Sequence, residues 1–316
     1  MKEIFGFLFF WILAISATGC TPKNGDKKAD EAQAPAAAMP GNFERAVPPA
    51  MVTAPQERAD YIVAHFWDKF DFSDTMYCHA PDITEQAFVD FIALFPHTSS
   101  HGKISDGVKK LLTSAEVENV MYNYFHSKAE HYLYNPNSPM RNDEYYIPFL
   151  EHVVESQKVT DIQKVRPRHL LELAYRNRPG SKAGNFTYTM ASGKTGNLYD
   201  IPAKYLLLMF YNPGCVECQR TAEMLKNSTA VAAAVESGSL KVLAVYPDEN
   251  LEEWKQHQKD IPPSWINAHD GALTVKNSEI YDLKAIPTLY LLDRDKKVIL
   301  KDVSTGDIHG YLEQNR

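Results

Sequence analysis

Residues 206–218 read Leu206-Leu207-Leu208-Met209-Phe210-Tyr211-Asn212-Pro213-Gly214-Cys215-Val216-Glu217-Cys218. The run from Lys204 to Tyr211 is almost wholly apolar, the pattern of a strand buried on both faces. Asn212-Pro213-Gly214 is turn chemistry and ends it. The cysteine pair then opens a predicted helix that runs through Met224 and Leu225 into the Ala-rich stretch ending at Val235. The first cysteine therefore stands where a buried strand stops and a helix starts. The free N–H groups and positive end of that helix favour a thiolate at Cys215. Cys218 lies one turn on, on the same face and within disulfide reach. A bridge between the two closes almost no loop, so it removes little unfolded-state entropy and is no structural staple. The spacing points to redox chemistry, with Cys215 attacking a substrate disulfide and Cys218 resolving the mixed disulfide.

Outward from this centre, the period of the apolar residues continues to read as α/β. Asn185–Met190 and Asn197–Ile201 are predicted strands joined by the turn Ala191-Ser192-Gly193-Lys194-Thr195-Gly196. Gly193-Lys194-Thr195 is not a phosphate loop, because that motif needs a glycine at position 188, which is Tyr188. Leu240–Tyr246 is a further buried strand and Leu251–Gln258 a helix, while Ile286–Leu292 and Val298–Val303 form a hairpin turning at Asp293–Lys297. Strand–helix–strand followed by an antiparallel hairpin gives a mixed sheet flanked by helices.

Two motifs in this order resemble one family. The strand and turn before Cys215 look like the active-site segment of thioredoxin-like proteins. Ala285-Ile286-Pro287-Thr288, followed by Leu-Tyr-Leu-Leu-Asp-Arg-Asp, resembles the family's cis-proline loop and the strand after it. The preceding hairpin is similar to that of the membrane-anchored, exported TlpA/ResA type. The resemblance covers residues 184–316. It implies that Pro287 is cis and packs against the cysteine pair, with the Ile286 backbone offering hydrogen bonds to a substrate strand. Three positions depart from the pattern. Gly214 stands in place of a tryptophan, Met209 in place of a buried acid, and Glu217 in place of the proline before the second cysteine. Without the acid, no base lies under Cys218. A solvent-facing carboxylate at Glu217 disfavours the neighbouring thiolate by like charge. These departures imply a reductase-leaning protein.

The beginning of the chain gives an address. Lys2, its charge offset by Glu3, precedes the uncharged apolar run Ile4–Ile15 and then Ser16-Ala17-Thr18-Gly19-Cys20, with Ala17 where a lipobox usually has leucine, and residues 1–19 read as a signal peptide. The run is shorter than the ~20 residues a membrane span needs. The segment resembles the lipobox of bacterial lipoproteins, which implies cleavage before Cys20 and its acylation. A plain secretory signal is the alternative, and either places the mature chain outside the cytoplasm, where disulfides persist. Residues 20–50, rich in Ala, Pro and charge, read as a disordered tether of about 30 Å reach.

Residues 51–180 read as a separate all-α domain. Ile62, Phe66 and Phe70 form one stripe, with Val63 and Trp67 beside them. Phe88, Phe91, Ile92 and Phe95 form a second, capped by Thr84 and stopped by Pro96, and Val117, Val120, Met121, Tyr124 and Phe125 a third. Phe149–Val154 and His169–Tyr175 add two shorter helices. Such stripes read as core. The segment from Asp82-Ile83-Thr84-Glu85-Gln86-Ala87-Phe88 onward is similar to a helical domain of unknown function found ahead of thioredoxin-like domains in bacterial lipoproteins. Tyr122, Tyr124, Tyr132, Tyr134, Tyr145 and Tyr146 could line a partner face or sit half-buried in the core. Cys78 reads as a small buried side chain near a helix end, with a third redox thiol as the alternative.

The 316 residues allow two domains, and the formal net charge of −7 argues against nucleic-acid binding. Structural zinc needs paired ligands. His257 and His269 form no such pair, and Pro96 with Ser99-Ser100 puts His97 and His101 in a loop. No metal and no cofactor is expected. Two functional readings follow. One is a membrane-anchored thiol–disulfide oxidoreductase acting on protein substrates and served by an electron-donor or acceptor protein. The other is a binding or scaffold lipoprotein whose helical domain recognises a partner.

Overall fold

The computed structural model describes residues 40–316; the expected signal peptide, Cys20 and most of the tether lie outside the described residues. The helical region comprises α1 (Pro55–His65), α2 (Pro81–Ala93), α3 (His101–Ala115), α4 (Asn119–Ala129), α5 (Asp143–Glu155) and α6 (Asp161–Tyr175), with α4 running into a π-helical turn over Glu130–Tyr134. The aromatic stripes meet in one core. Trp67 packs edge-on against Phe70 and Phe125, ring centroids 5.3 and 5.0 Å away, geometry in which the positive ring edge meets the negative face. Of the two readings of the six tyrosines, the core one fits: Tyr122 and Tyr146 are buried in this core and the other four pack against it partly buried.

Several boundaries differ from those the sequence predicts. The first stripe leaves its helix at His65, and Phe66, Trp67 and Phe70 reach the core from the turns that follow. Thr84 is no cap: α2 begins at Pro81, whose missing N–H costs nothing at a first helical position, and Thr84 lies inside it, fully buried. Val117 and Val120 are exposed, so the third stripe is carried by Met121, Tyr122 and Phe125. His101 opens α3 rather than lying in a loop, and His97 ends a separate 3-10 turn.

The α/β part follows as β1 (Thr187–Met190), β2 (Thr195–Asn197), β3 (Tyr205–Phe210), α7 (Val216–Asn227), α8 (Thr229–Glu236), β4 (Leu240–Tyr246), α9 (Leu251–Gln256), β5 (Ile266–His269), α10 (Thr274–Asn277), β6 (Thr288–Leu292), β7 (Val298–Lys301) and α11 (Thr305–Gln314). The second expected strand falls earlier, because the Asn197 side chain accepts from the Tyr199 N–H and turns residues 198–200 into a 3-10 turn. The expected single helix to Val235 is two helices. Ser228 ends α7 and caps α8, its Oγ accepting from the Val231 N–H and bonding the His309 ring. β5, α10 and α11 are additions to the sequence reading.

One seven-stranded sheet results, in the order β2-β1-β5-β4-β3-β6-β7. β3, β4 and β5 run parallel, and β6, β7, β1 and β2 antiparallel to their neighbours. Because side chains alternate along a strand, β3 feeds two cores. Leu207, Met209 and Tyr211 face α7, α8 and α11, while Leu206, Leu208 and Phe210 face Phe186, Leu198 and Tyr281. This double burial accounts for the unbroken apolar run and fixes the end of β3, from which the site projects.

Candidate active site

β3 ends at Phe210, and the five residues 211–215 carry the chain from the sheet to the first turn of α7. Gly214 takes φ +67°, a left-handed conformation that costs other residues about 1–2 kcal/mol. A Cβ there would also lie 3.3 Å from His257 Cε1. The turn thus favours glycine, and a side chain here would press on the imidazole lying over it.

Cys215 is the N-cap of α7, in extended conformation, and its Sγ accepts from the Cys218 N–H at 3.3 Å. A sulfur in that position takes one of the donors that a helix leaves unsatisfied. Cys218 Sγ donates to Cys215 Sγ at 2.7 Å, and both thiols are free. When a client disulfide takes their two electrons, the sulfurs need move little to reach the ~2.05 Å of a disulfide. The two differ in access: Cys215 is half-buried, whereas Cys218 is 2% exposed. Burial, and then the neighbouring Cys215, push the Cys218 thiol far up, against an opposing contact with the Asn212 backbone. Beneath the pair the environment is apolar. Met209 is fully buried, and Tyr211 donates to Asn267 Oδ1 at 2.6 Å while accepting from Trp254 Nε1 at 3.0 Å. Glu217 points to solvent and pairs with Arg220 at 3.0 Å.

Across from α7, the Ile286–Pro287 bond is cis. Ile286 and Cys215 pack against the same core cluster, and one groove is lined by Glu217 together with Ala285, Ile286 and Pro287. Cys215, Cys218, Ile286 and Pro287 are therefore brought to one place. Cys78 is not among them: it sits in the helical core, its Sγ 3.8 Å from Met121 Sδ, with burial pushing the thiol up.

What supports the turn leaves no local mark in the sequence. Asp260 Oδ2 accepts from Gln219 Nε2 of α7 at 2.9 Å and lies 2.8 Å from His257 Nδ1, and its carboxylate also meets the Gly214 backbone N–H. Although burial pushes this carboxyl up, the bonds from His257 and Gln219 win and hold it below the usual carboxylate range. Among the described residues no group of three His, Cys, Asp or Glu side chains is arranged to hold a metal ion.

The comparisons with known proteins agree with this architecture. Residues 19–177, half of the chain, match a family described as a domain of unknown function, DUF5106, and residues 203–298 match one described as thioredoxin-like. The chain is similar to a thioredoxin-like protein from Bacteroides caccae of known crystal structure, with 44% identity, covering 87% of this chain and 99% of that one, and a TM-score of 0.84. It is also similar, at 27% identity over 138 residues, to the thiol-disulfide oxidoreductase ResA of Bacillus cereus, covering 43% of this chain and 77% of that protein. A two-part chain that matches one crystal structure over 87% of its length, with a cysteine pair at the head of a helix and a cis-proline loop opposite, belongs to the thioredoxin-like family, in the group that carries a DUF5106 domain ahead of the thioredoxin-like one.

Proposed function

We propose that this protein is a thiol–disulfide oxidoreductase that reduces disulfides of exported protein substrates through Cys215 and Cys218. The observation that carries the reading is the asymmetry of the pair: a reachable sulfur capping a helix, and a buried one 2.7 Å behind it. Cys215, as thiolate, attacks one sulfur of the client disulfide, and a client thiolate leaves. Cys218 then attacks Cys215, its proton passing to the departing thiolate, and the second client thiol is released. The client gains two electrons and two protons, and the pair becomes a disulfide, which an external dithiol protein must reduce again. The resemblance to ResA, named for this activity, supports the reading. The apolar Met209, where a buried acid would otherwise stand, supports the reducing direction.

The resolving step supplies the test. Cys218→Ser leaves the mixed disulfide with no escape, so clients should accumulate as covalent adducts on non-reducing gels, and Cys215→Ser should trap none. Equal trapping by both variants, or by neither while wild type reduces no disulfide, rejects the assignment. The couple should lie nearer the roughly −270 mV of a reductant than the roughly −120 mV of an oxidant.

We also propose that Cys20 carries a lipid that holds the protein on the outer side of a bacterial membrane. Support comes from the sequence of residues 1–20 alone. Metabolic labelling with a fatty acid should mark the wild type and not Cys20→Ala; equal labelling would remove the anchor.

A further inference from the structure

The groove beside the cysteine pair has a wall that does not come from the thioredoxin-like part. Its volume is about 420 Å³, and Glu217 and Met224 of α7, Ile286 and Val303 face Pro136 and Asn137, which belong to the turn between α4 and α5. Arg141, from the same turn, bonds Asp302 at 3.2 Å across the groove. We propose that this helical turn is the specificity wall of the client site, selecting extended, uncharged segments with an apolar residue beside the cysteine. The proposal deepens the oxidoreductase reading and rests on it.

Three observations support the wall and choose its occupant. First, the wall is clamped in place. Asp143, in the first turn of α5, pairs with Lys284 at 2.6 Å and Lys301 at 2.8 Å, all three side chains being 5% exposed or less. Lys284 lies two residues before Ile286, so the clamp grips the cis-proline loop itself. Second, Ile286 N–H and C=O take no hydrogen bond from the described residues, and backbone groups left open beside a reacting sulfur fit an extended chain laid alongside. Cys215 stands two residues before Glu217, which lines the groove, so a chain lying in it would bring its own cysteine to the attacking sulfur. Third, the charged groups of the groove cancel in pairs, Arg141 with Asp302 and Arg220 with Glu217, leaving an uncharged lining in which Met224, Ile286 and Val303 stand among Thr221, Ser304 and Thr305. A charged client side chain gains no partner there and loses water.

The test uses the purified chain, reduced beforehand, with three disulfides: 2-hydroxyethyl disulfide, and two disulfide-linked peptides with leucine or aspartate on both sides of the cysteine. The leucyl peptide should be reduced at least about tenfold faster than the aspartyl one. Asn137→Trp, an exposed position on the turn, fills the groove and should lower the leucyl rate at least about tenfold relative to 2-hydroxyethyl disulfide. Asp143→Asn, which loosens the clamp, should narrow the difference between the peptides. Equal rates for the two peptides, or an unchanged ratio in Asn137→Trp, would overturn the wall while leaving the redox assignment standing. Failure of the wild type on all three disulfides would overturn both.

Discussion

Cys215 is placed by backbone geometry, and one carboxylate stabilises that geometry. Asp260 joins the turn at Gly214, the helix at Gln219 and the imidazole of His257. Hydrogen bonds to a charged acceptor contribute about 1.5–3 kcal/mol each where they are sheltered, and the Asp260 side chain is 13% exposed. Asp260→Asn keeps the shape but not the charge, so it should cost about 1.5–3 kcal/mol at neutral pH by urea denaturation. The sign with pH follows from the lowered carboxyl. Its stabilisation is present above the unfolded value of about 3.9 and is lost as pH falls through the folded one. The gap between wild type and variant should therefore close in acid, and a constant gap would mean that shape, not charge, matters. Cys215 and Cys218 are legible in the sequence because only two residues separate them at the head of one helix. Asp260 is not, since Gln219 lies 41 residues away and no local period records a contact made through space.

Helices were legible wherever their apolar face is continuous, and α3 shows what hides one. Its sequence opens with His101-Gly102 and contains Gly107, both poor signals of a helix. Gly107 is there for packing: a Cβ on it would lie 2.5 Å from Val63 Cγ1 and 3.1 Å from the Val63 carbonyl oxygen. α1 and α3 thus cross at a point with no room for a methyl group. Propensity alone would make Gly107→Ala stabilising by about 0.8–1.0 kcal/mol. Overpacking a close core contact costs about 1–3 kcal/mol, and Val63, β-branched and 2% exposed, has little freedom to move aside. The second effect wins. Gly107→Ala should lower stability by up to about 2 kcal/mol, and a raised melting temperature would show that α1 yields. The break between α7 and α8 escaped sequence reasoning for a related reason: Ser228 is ordinary in composition, and its capping role depends partly on His309, 81 residues on.

At the scale of the whole molecule, the division into a helical and an α/β part is written in the change of apolar period, but the joint between them is not. Asp143 and Lys284 are 141 residues apart, and each reads locally as an ordinary surface charge. In the structure they join Lys301, Asp282, Asp302 and Arg141 in a cluster with three charges of each sign, buried except where Asp302 and Arg141 reach the groove. Lys301 also donates to the carbonyls of Ala174 and Arg176, closing the end of α6 onto edge strand β7. The acids are not equivalent. Burial pushes both Asp143 and Asp282 up, but two lysines bring Asp143 below its usual value, whereas Asp282 stays above it. Asp143 therefore stabilises the fold when ionised, above an unfolded pKa of about 3.9, and that contribution fades as pH falls through its folded value. For Asp282 the sign is reversed: its contribution is full below about 3.9 and is lost as pH rises through the folded value, so at neutral pH its charge is a cost. Asp143→Asn leaves two buried lysines short of a partner and should cost about 3–5 kcal/mol. Asp282→Asn removes a charge that the fold disfavours, so it should cost far less than Asp143→Asn or raise stability. Urea denaturation of the two variants at pH 7 checks the pair, and equal losses would mean that the lysines are held by the acids collectively rather than by Asp143.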